Sequence, residues 1–155
     1  LLRILAEIQA EGIEVIEFEF EGNRRGLYCD NIIFIDPRLG EKEMRCVLLE
    51  EFAHHHTTYG NILDLTDSQN SRQERIARQF AYEKGCGLHD LINAVNKRID
   101  NLDDITDELR ITEEFFLDSI NYYLKKYGQS VVCNKHIVHF NPLYVEEIET
   151  MEAIL

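Results

Sequence analysis

The stretch that most constrains this chain is Cys46-Val-Leu-Leu-Glu50-Glu51-Phe-Ala-His54-His55-His56. It reads as a helix that is apolar on nearly every side from Cys46 to Ala53, and such helices are buried. Two carboxylates and three imidazoles nevertheless lie within it or at its end. An ionised carboxylate taken out of water must be paired, protonated or bound to a metal. Glu50 and His54 are four residues apart and share one face, and Glu51 and His55 repeat that spacing one step around. Whatever the chain folds into must pack around this helix and account for its polar groups.

The flanking patterns give an α+β fold, in which a small N-terminal antiparallel sheet packs on that helix. Residues 1–11 carry apolar positions at helical spacing and stop at Gly12. From Ile16 to Phe20 apolar and acidic residues alternate, as in a strand with one wet face. Residues 25–30 and 31–36 read as two further strands with a hairpin turn at Asp30-Asn31. The central helix is expected over 41–57, with acids in its first turn, and a polar loop over 61–69. A third helix follows from about Ser71 to Lys84, capped by Asn70 or Ser71, with Ala77, Phe80 and Ala81 inward and Glu74 on the same side. Helices are then expected over 88–99, 103–109 and 112–127, the last opened by Thr112 as N-cap. Ser130–Cys133 and His136–Phe140 form a C-terminal hairpin, and an acidic tail with some helical spacing begins at Pro142. The expected organisation is a core over 1–87, a helical segment over 88–128 and the hairpin with its tail over 129–155, together one compact unit.

A net charge of −13 over 155 residues argues against a general nucleic-acid binder and against an anionic membrane surface. No apolar run approaches the length of a membrane span. Cys29, Cys46, Cys86 and Cys133 contain no C-x-x-C pair, and no basic-then-apolar leader opens the sequence. Reduced thiols in a cytoplasmic protein are expected.

Two ligands four apart on one helix, with a third from another helix, make a tripod for catalytic zinc with a fourth position left for water. The metal acidifies that water, and a carboxylate beside it takes the proton and passes it to the leaving amine. In H-E-x-x-H the two His bind zinc and the Glu is that base. Here the same frame reads Glu50-Glu51-x-x-His54, so the second His and the base are in place and a carboxylate stands at the first position. An oxygen-rich set of that kind suits a harder metal such as manganese.

These residues resemble the ImmA/IrrE-type metallopeptidases, in particular the small phage and mobile-element forms. The resemblance covers most of residues 13–127. It is carried by Gly26-Leu-Tyr-Cys-Asp30, Glu50-Glu51-x-x-His54-His55, Thr57-Thr58-x-Gly60-Asn61 and Arg72-Gln73-Glu74-x-x-Ala77-x-x-Phe80-Ala81. It implies a zincin-like fold, His54 and Glu74 as metal ligands and Glu51 as general base. The family's first His falls on Glu50, which becomes the remaining ligand, with His55 as a possible substitute. Zinc is the implied metal, with manganese or another divalent ion as the alternative. The implied activity is endoproteolysis of a cytosolic protein, the transcriptional repressor of a phage or mobile element. The helices around 103–127 are similar to a helix-turn-helix-like segment of some members, although the acidity of this chain argues against DNA binding.

Simpler roles stand beside these. Glu50 and Glu51 could pair with arginines, His54 could be a hydrogen-bonded structural histidine, and Glu74 could pair with Arg78 one turn on. His55 and His56 suit the negative end of a helix. His89, His136 and His139 are expected on the surface or on a sheet face, and Tyr59 is a weaker oxyanion candidate. The competing function is a catalytically degenerate member of the same fold that binds a regulator without cutting it. A toxin or antitoxin partner is a third, suggested by size and acidity alone.

Overall fold

A computed structural model describes residues 1–57, 67–99 and 101–149. Within them the order of elements is α1 (Leu2–Ala10), β1 (Glu14–Glu17), β2 (Gly26–Cys29), β3 (Ile32–Ile35), α2 (Glu41–Thr57), α3 (Asp67–Gly85), α4 (Leu88–Asn96), α5 (Leu102–Leu109), α6 (Glu113–Tyr127), β4 (Ser130–Cys133), β5 (His136–Phe140) and β6 (Leu143–Glu147). The α+β class expected from the sequence is the class observed. Thr58, Tyr59, Gly60 and Asn61, most of the expected loop, and the tail from residue 150 lie outside the described residues.

Helix α2 is central because its sequence leaves it no wet side over two turns. Cys46, Val47, Leu48, Leu49, Phe52 and Ala53 are all buried. The first sheet covers one flank, α3 another, and α1 a third. On α3 the buried side chains are Ala77 and Ala81, small enough to let two helices approach closely. Helix α3 starts at Asp67, four residues before the expected cap at Ser71. The run Asp67-Ser-Gln-Asn is polar, so its helical state carried no apolar signal.

In the first sheet the strand order is β1-β3-β2. Strands β2 and β3 form the expected antiparallel hairpin. Asp30 and Asn31 both take left-handed conformations, with φ of 46° and 62°, as a two-residue turn between twisted strands requires. Strand β1, however, pairs parallel with β3, so the sheet is mixed rather than wholly antiparallel. The chain leaves β1 at Glu17, crosses through residues 18–25 to the far edge, and returns through the middle. Phe18 and Phe20, expected in the first strand, lie beyond its end, with their rings edge-on at 5.0 Å. Phe18 also meets Phe34 at 6.2 Å.

Thr112 caps α6 as expected, its Oγ1 accepting from the Phe115 N–H at 3.1 Å. The Thr112 N–H reaches the Cys46 Sγ at 3.5 Å, and Arg45 donates to the Leu109 carbonyl at 3.0 Å. These contacts fix the first turn of α6 against α2. Farther along, Tyr123 is buried and donates to the Cys86 carbonyl at 2.8 Å. The C-terminal hairpin gains a third strand, because the expected helical tail is β6, paired antiparallel with β5. One hydrophobic cluster runs from Ile4 and Ile8 of α1 through α2 to Phe140 of β5. No helix among the described residues is long and apolar enough to cross a membrane.

Candidate active site

Helix α2 presents its polar groups on two sides. On one side a cleft of about 580 Å³ opens between the start of β2, α2 and the first turn of α6. Glu50 and Glu51 line it, together with Arg24, Arg25, Glu113, Glu114 and Asp118. One turn beyond Glu50, the His54 Nε2 stands 3.5 Å from the Glu74 Oε2. That distance is long for a strong hydrogen bond. Burial lowers the His54 pKa, with Glu74 pulling it the other way, so the ring is neutral at neutral pH and keeps a lone pair. The structure thus brings together His54 from α2 and Glu74 from α3, twenty positions apart in the chain.

Carboxylates crowd this region. Burial raises the pKa of Glu50, Arg78 and Arg25 oppose the rise, and Glu74 and Glu114 add to it. Glu51 is pushed up to about 7, first by burial and then by Glu50 and Glu74. The Tyr28 backbone N–H facing it partly offsets the rise. A carboxyl near neutrality can hold or release a proton at working pH, as general acid–base chemistry requires.

A neutral imidazole beside a carboxylate, with a second raised carboxylate one turn away, is a donor set whose chemistry fits a divalent cation. Its closure is incomplete: among the described residues no three His, Cys, Asp or Glu side chains already converge as a metal site. His55, named from sequence as a possible substitute ligand, is held elsewhere. Its Nδ1 is 2.8 Å from the Tyr28 hydroxyl and its Nε2 is 3.4 Å from the Glu11 Oε2. The His56 Nε2 reaches the same Glu11 oxygen at 2.9 Å. Arg72, Arg75 and Arg78 are exposed, as expected of a wet helix face, and Arg78 acts on Glu50 and His54 through its charge.

Sequence reasoning assigned no role to Tyr28 or Glu11. Tyr28 stood inside a motif used for the family resemblance, which was the only signal of its importance. Glu11 closes the first helix, and only the fold brings it to His55.

No curated protein and no solved structure matches this chain. The family described as the IrrE N-terminal-like domain, Peptidase_M78, matches over residues 8–121, a span holding the end of α1, the first sheet, α2, α3 and the cleft. That match spans well over half of the chain, and the chain belongs to the IrrE N-terminal-like (Peptidase_M78) family.

Proposed function

We propose that this chain is a metal-dependent endopeptidase acting on a cytoplasmic protein, such as the transcriptional repressor of a phage or mobile element. What carries the proposal is the meeting of His54 and Glu74 beside a Glu51 that titrates near about 7. His54 and Glu74 would hold the metal, zinc or manganese, and Glu50 would complete the set. When bound, the metal supplies Lewis acidity toward the scissile carbonyl. Glu51 takes the proton of the attacking water and delivers it to the departing amine. The cleft beside Glu50 and Glu51 receives the substrate chain, its arginines and carboxylates offering contacts to polar side chains. A net charge of −13 favours a protein substrate over nucleic acid or an anionic membrane.

A second reading has a specific observation in its favour. With Glu50 at the first ligand position and no converged three-residue set among the described residues, the chain could be a degenerate family member that binds its regulator uncut. Elemental analysis of protein purified without chelators separates the two, run on wild type, His54→Ala and Glu74→Ala. Near-stoichiometric zinc or manganese, lost in both variants, is the expected result. A wild type that takes up neither metal even after soaking would sink the hydrolytic mechanism and leave the binding module.

A further inference from the structure

We infer that Arg24, Arg25 and Arg38 form a carboxylate subsite beside the cleft, which draws in a polypeptide bearing an acidic side chain or a free C-terminus at that end. Next to the cleft lies a second cavity of about 440 Å³. All three arginines line it. Arg24 and Arg25 also line the cleft, so they form a wall common to both. Among the described residues around the second cavity, Asp36 is the one acid, and it is already engaged. Arg38 donates to it from Nε at 2.9 Å, from Nη2 at 2.6 Å and from its backbone N–H at 2.9 Å. The same Nη2 reaches the Phe20 carbonyl at 2.8 Å. These bonds fix the Arg38 guanidinium and leave its Nη1 with no acceptor among the described residues. A donor held in place beforehand loses little freedom when a ligand arrives.

The other two arginines are barely neutralised. The Arg25 Nη1 stands 4.0 Å from the Glu43 Oε2, the outer limit of an ion pair, with both side chains half-exposed; such a pair is worth little. Arg24 is exposed and has no ion pair or side-chain hydrogen bond among the described residues. Glu19 acts on Arg38 through its charge but does not line the cavity. With Arg38 balanced by Asp36, the charges of Arg24 and Arg25 remain, in a chain whose net charge is −13. The α6 side of the cleft carries the opposite sign, in Glu113, Glu114 and Asp118. A carboxylate on the bound chain is repelled there and attracted at the arginines, so the charge pattern favours one placement of it. A guanidinium meets a carboxylate through two parallel N–H donors, a match that lysine does not offer.

That the carboxylate belongs to a substrate rests on the peptidase proposal; its binding is tested without cleavage. Short peptides of Ala, Ser and Gly with a neutral fluorophore would be titrated with the full chelator-treated chain and read by fluorescence anisotropy. One has a central Glu and an amidated C-terminus, one a central Gln and a free C-terminus, and one a central Gln and an amidated C-terminus. At low salt, wild type is expected to bind a carboxylate peptide roughly three- to tenfold more tightly than the neutral one, between the scales of an exposed ion pair and a charge-assisted hydrogen bond. Which of the two carboxylate peptides gains tells a side chain from a terminus. The gap should shrink at high salt and nearly vanish in Arg24→Gln. Arg24→Glu should favour a central-Lys peptide instead, a reversal that loss of structure alone does not produce. Equal binding of the peptides by wild type, or none, would overturn the inference, as would a carboxylate preference that Arg24→Gln leaves intact. Cleavage by wild type with no preference for a nearby carboxylate would count against the subsite and leave the peptidase standing. A carboxylate preference in binding, without any cleavage by metal-loaded wild type, would count against the peptidase and leave the subsite.

Discussion

Glu51 should make the metal-free protein less stable than it could be, and Glu51→Gln should reveal by how much. The carboxyl ionises near about 7 instead of 4.5, chiefly because it is buried. A difference of that size corresponds to roughly 3 kcal/mol of unfavourable ionisation at neutral pH. Between those two values the folded chain holds the proton more tightly than the unfolded chain does. The stability contributed by the protonated carboxyl is therefore complete below about 4.5 and is lost as pH rises through about 7. Glutamine keeps the volume but cannot ionise. In chelator-treated protein Glu51→Gln is predicted to be more stable than wild type by up to about 3 kcal/mol at pH 8. The gain should shrink toward zero near pH 4.5. In a chain of this length that corresponds to a rise of roughly 6–12 °C in Tm at pH 8. Urea unfolding of both proteins at pH 4.5, 6 and 8 measures it, and the difference between them isolates Glu51 from Glu50, which carries a shift of its own. Added zinc or manganese should narrow the gap, because a cation offsets the crowding that wild type carries. A stability difference that does not change with pH, or a variant less stable at pH 8, would refute the assignment of a buried, near-neutral carboxyl.

Three other outcomes are expected. Gly26→Ala would place a Cβ 2.5 Å from the Val47 Cγ1, a β-branched side chain with little rotamer freedom on a helix; a loss of about 1–3 kcal/mol in denaturant unfolding is predicted, and the displaced β2 should also weaken cleavage. Arg38 clamps Asp36 with two side-chain hydrogen bonds and a backbone one, holding its pKa well below the ordinary 3.8. Wild type should therefore be more stable than Asp36→Asn above that pH and lose the advantage progressively as pH falls below it toward the lowered value, read as a shrinking difference in unfolding between pH 7 and pH 2. Tyr123→Phe removes the donor to the buried Cys86 carbonyl at 2.8 Å and should cost about 1–2 kcal/mol without altering metal content.

Local spacing carried the polar constellation of α2 into view, because Glu50 with His54 and Glu51 with His55 are neighbours by helix geometry alone. Glu74 was legible as a carboxylate on the buried side of Ala77 and Ala81, although only the packing of α3 on α2 brings it to His54. The parallel partner of β1 was not legible: alternation reports which face is wet and says nothing about which strand lies alongside. At Phe18-Glu-Phe20 the alternation continued past the end of pairing, where those rings cluster with Phe34. Strand β6 did carry a period of two, with Leu143 and Val145 less exposed than Tyr144 and Glu146. Its acidic residues and preceding Pro142 obscured that pattern. His55 shows the remaining gap most sharply. Its partners Glu11 and Tyr28 come from α1's end and from β2, and nothing local to α2 names either.

Cleavage itself tests the central claim most directly. Zinc- and manganese-supplemented wild type and Glu51→Gln would be incubated with a defined library of extended peptides, and new N-termini would be read by mass spectrometry. The predicted result is a reproducible set of cut sites with wild type, absent with Glu51→Gln although that variant is folded and still binds metal. Cuts by both proteins alike, or by neither under conditions where wild type is fully loaded with metal, would contradict a peptidase that uses Glu51 as its base.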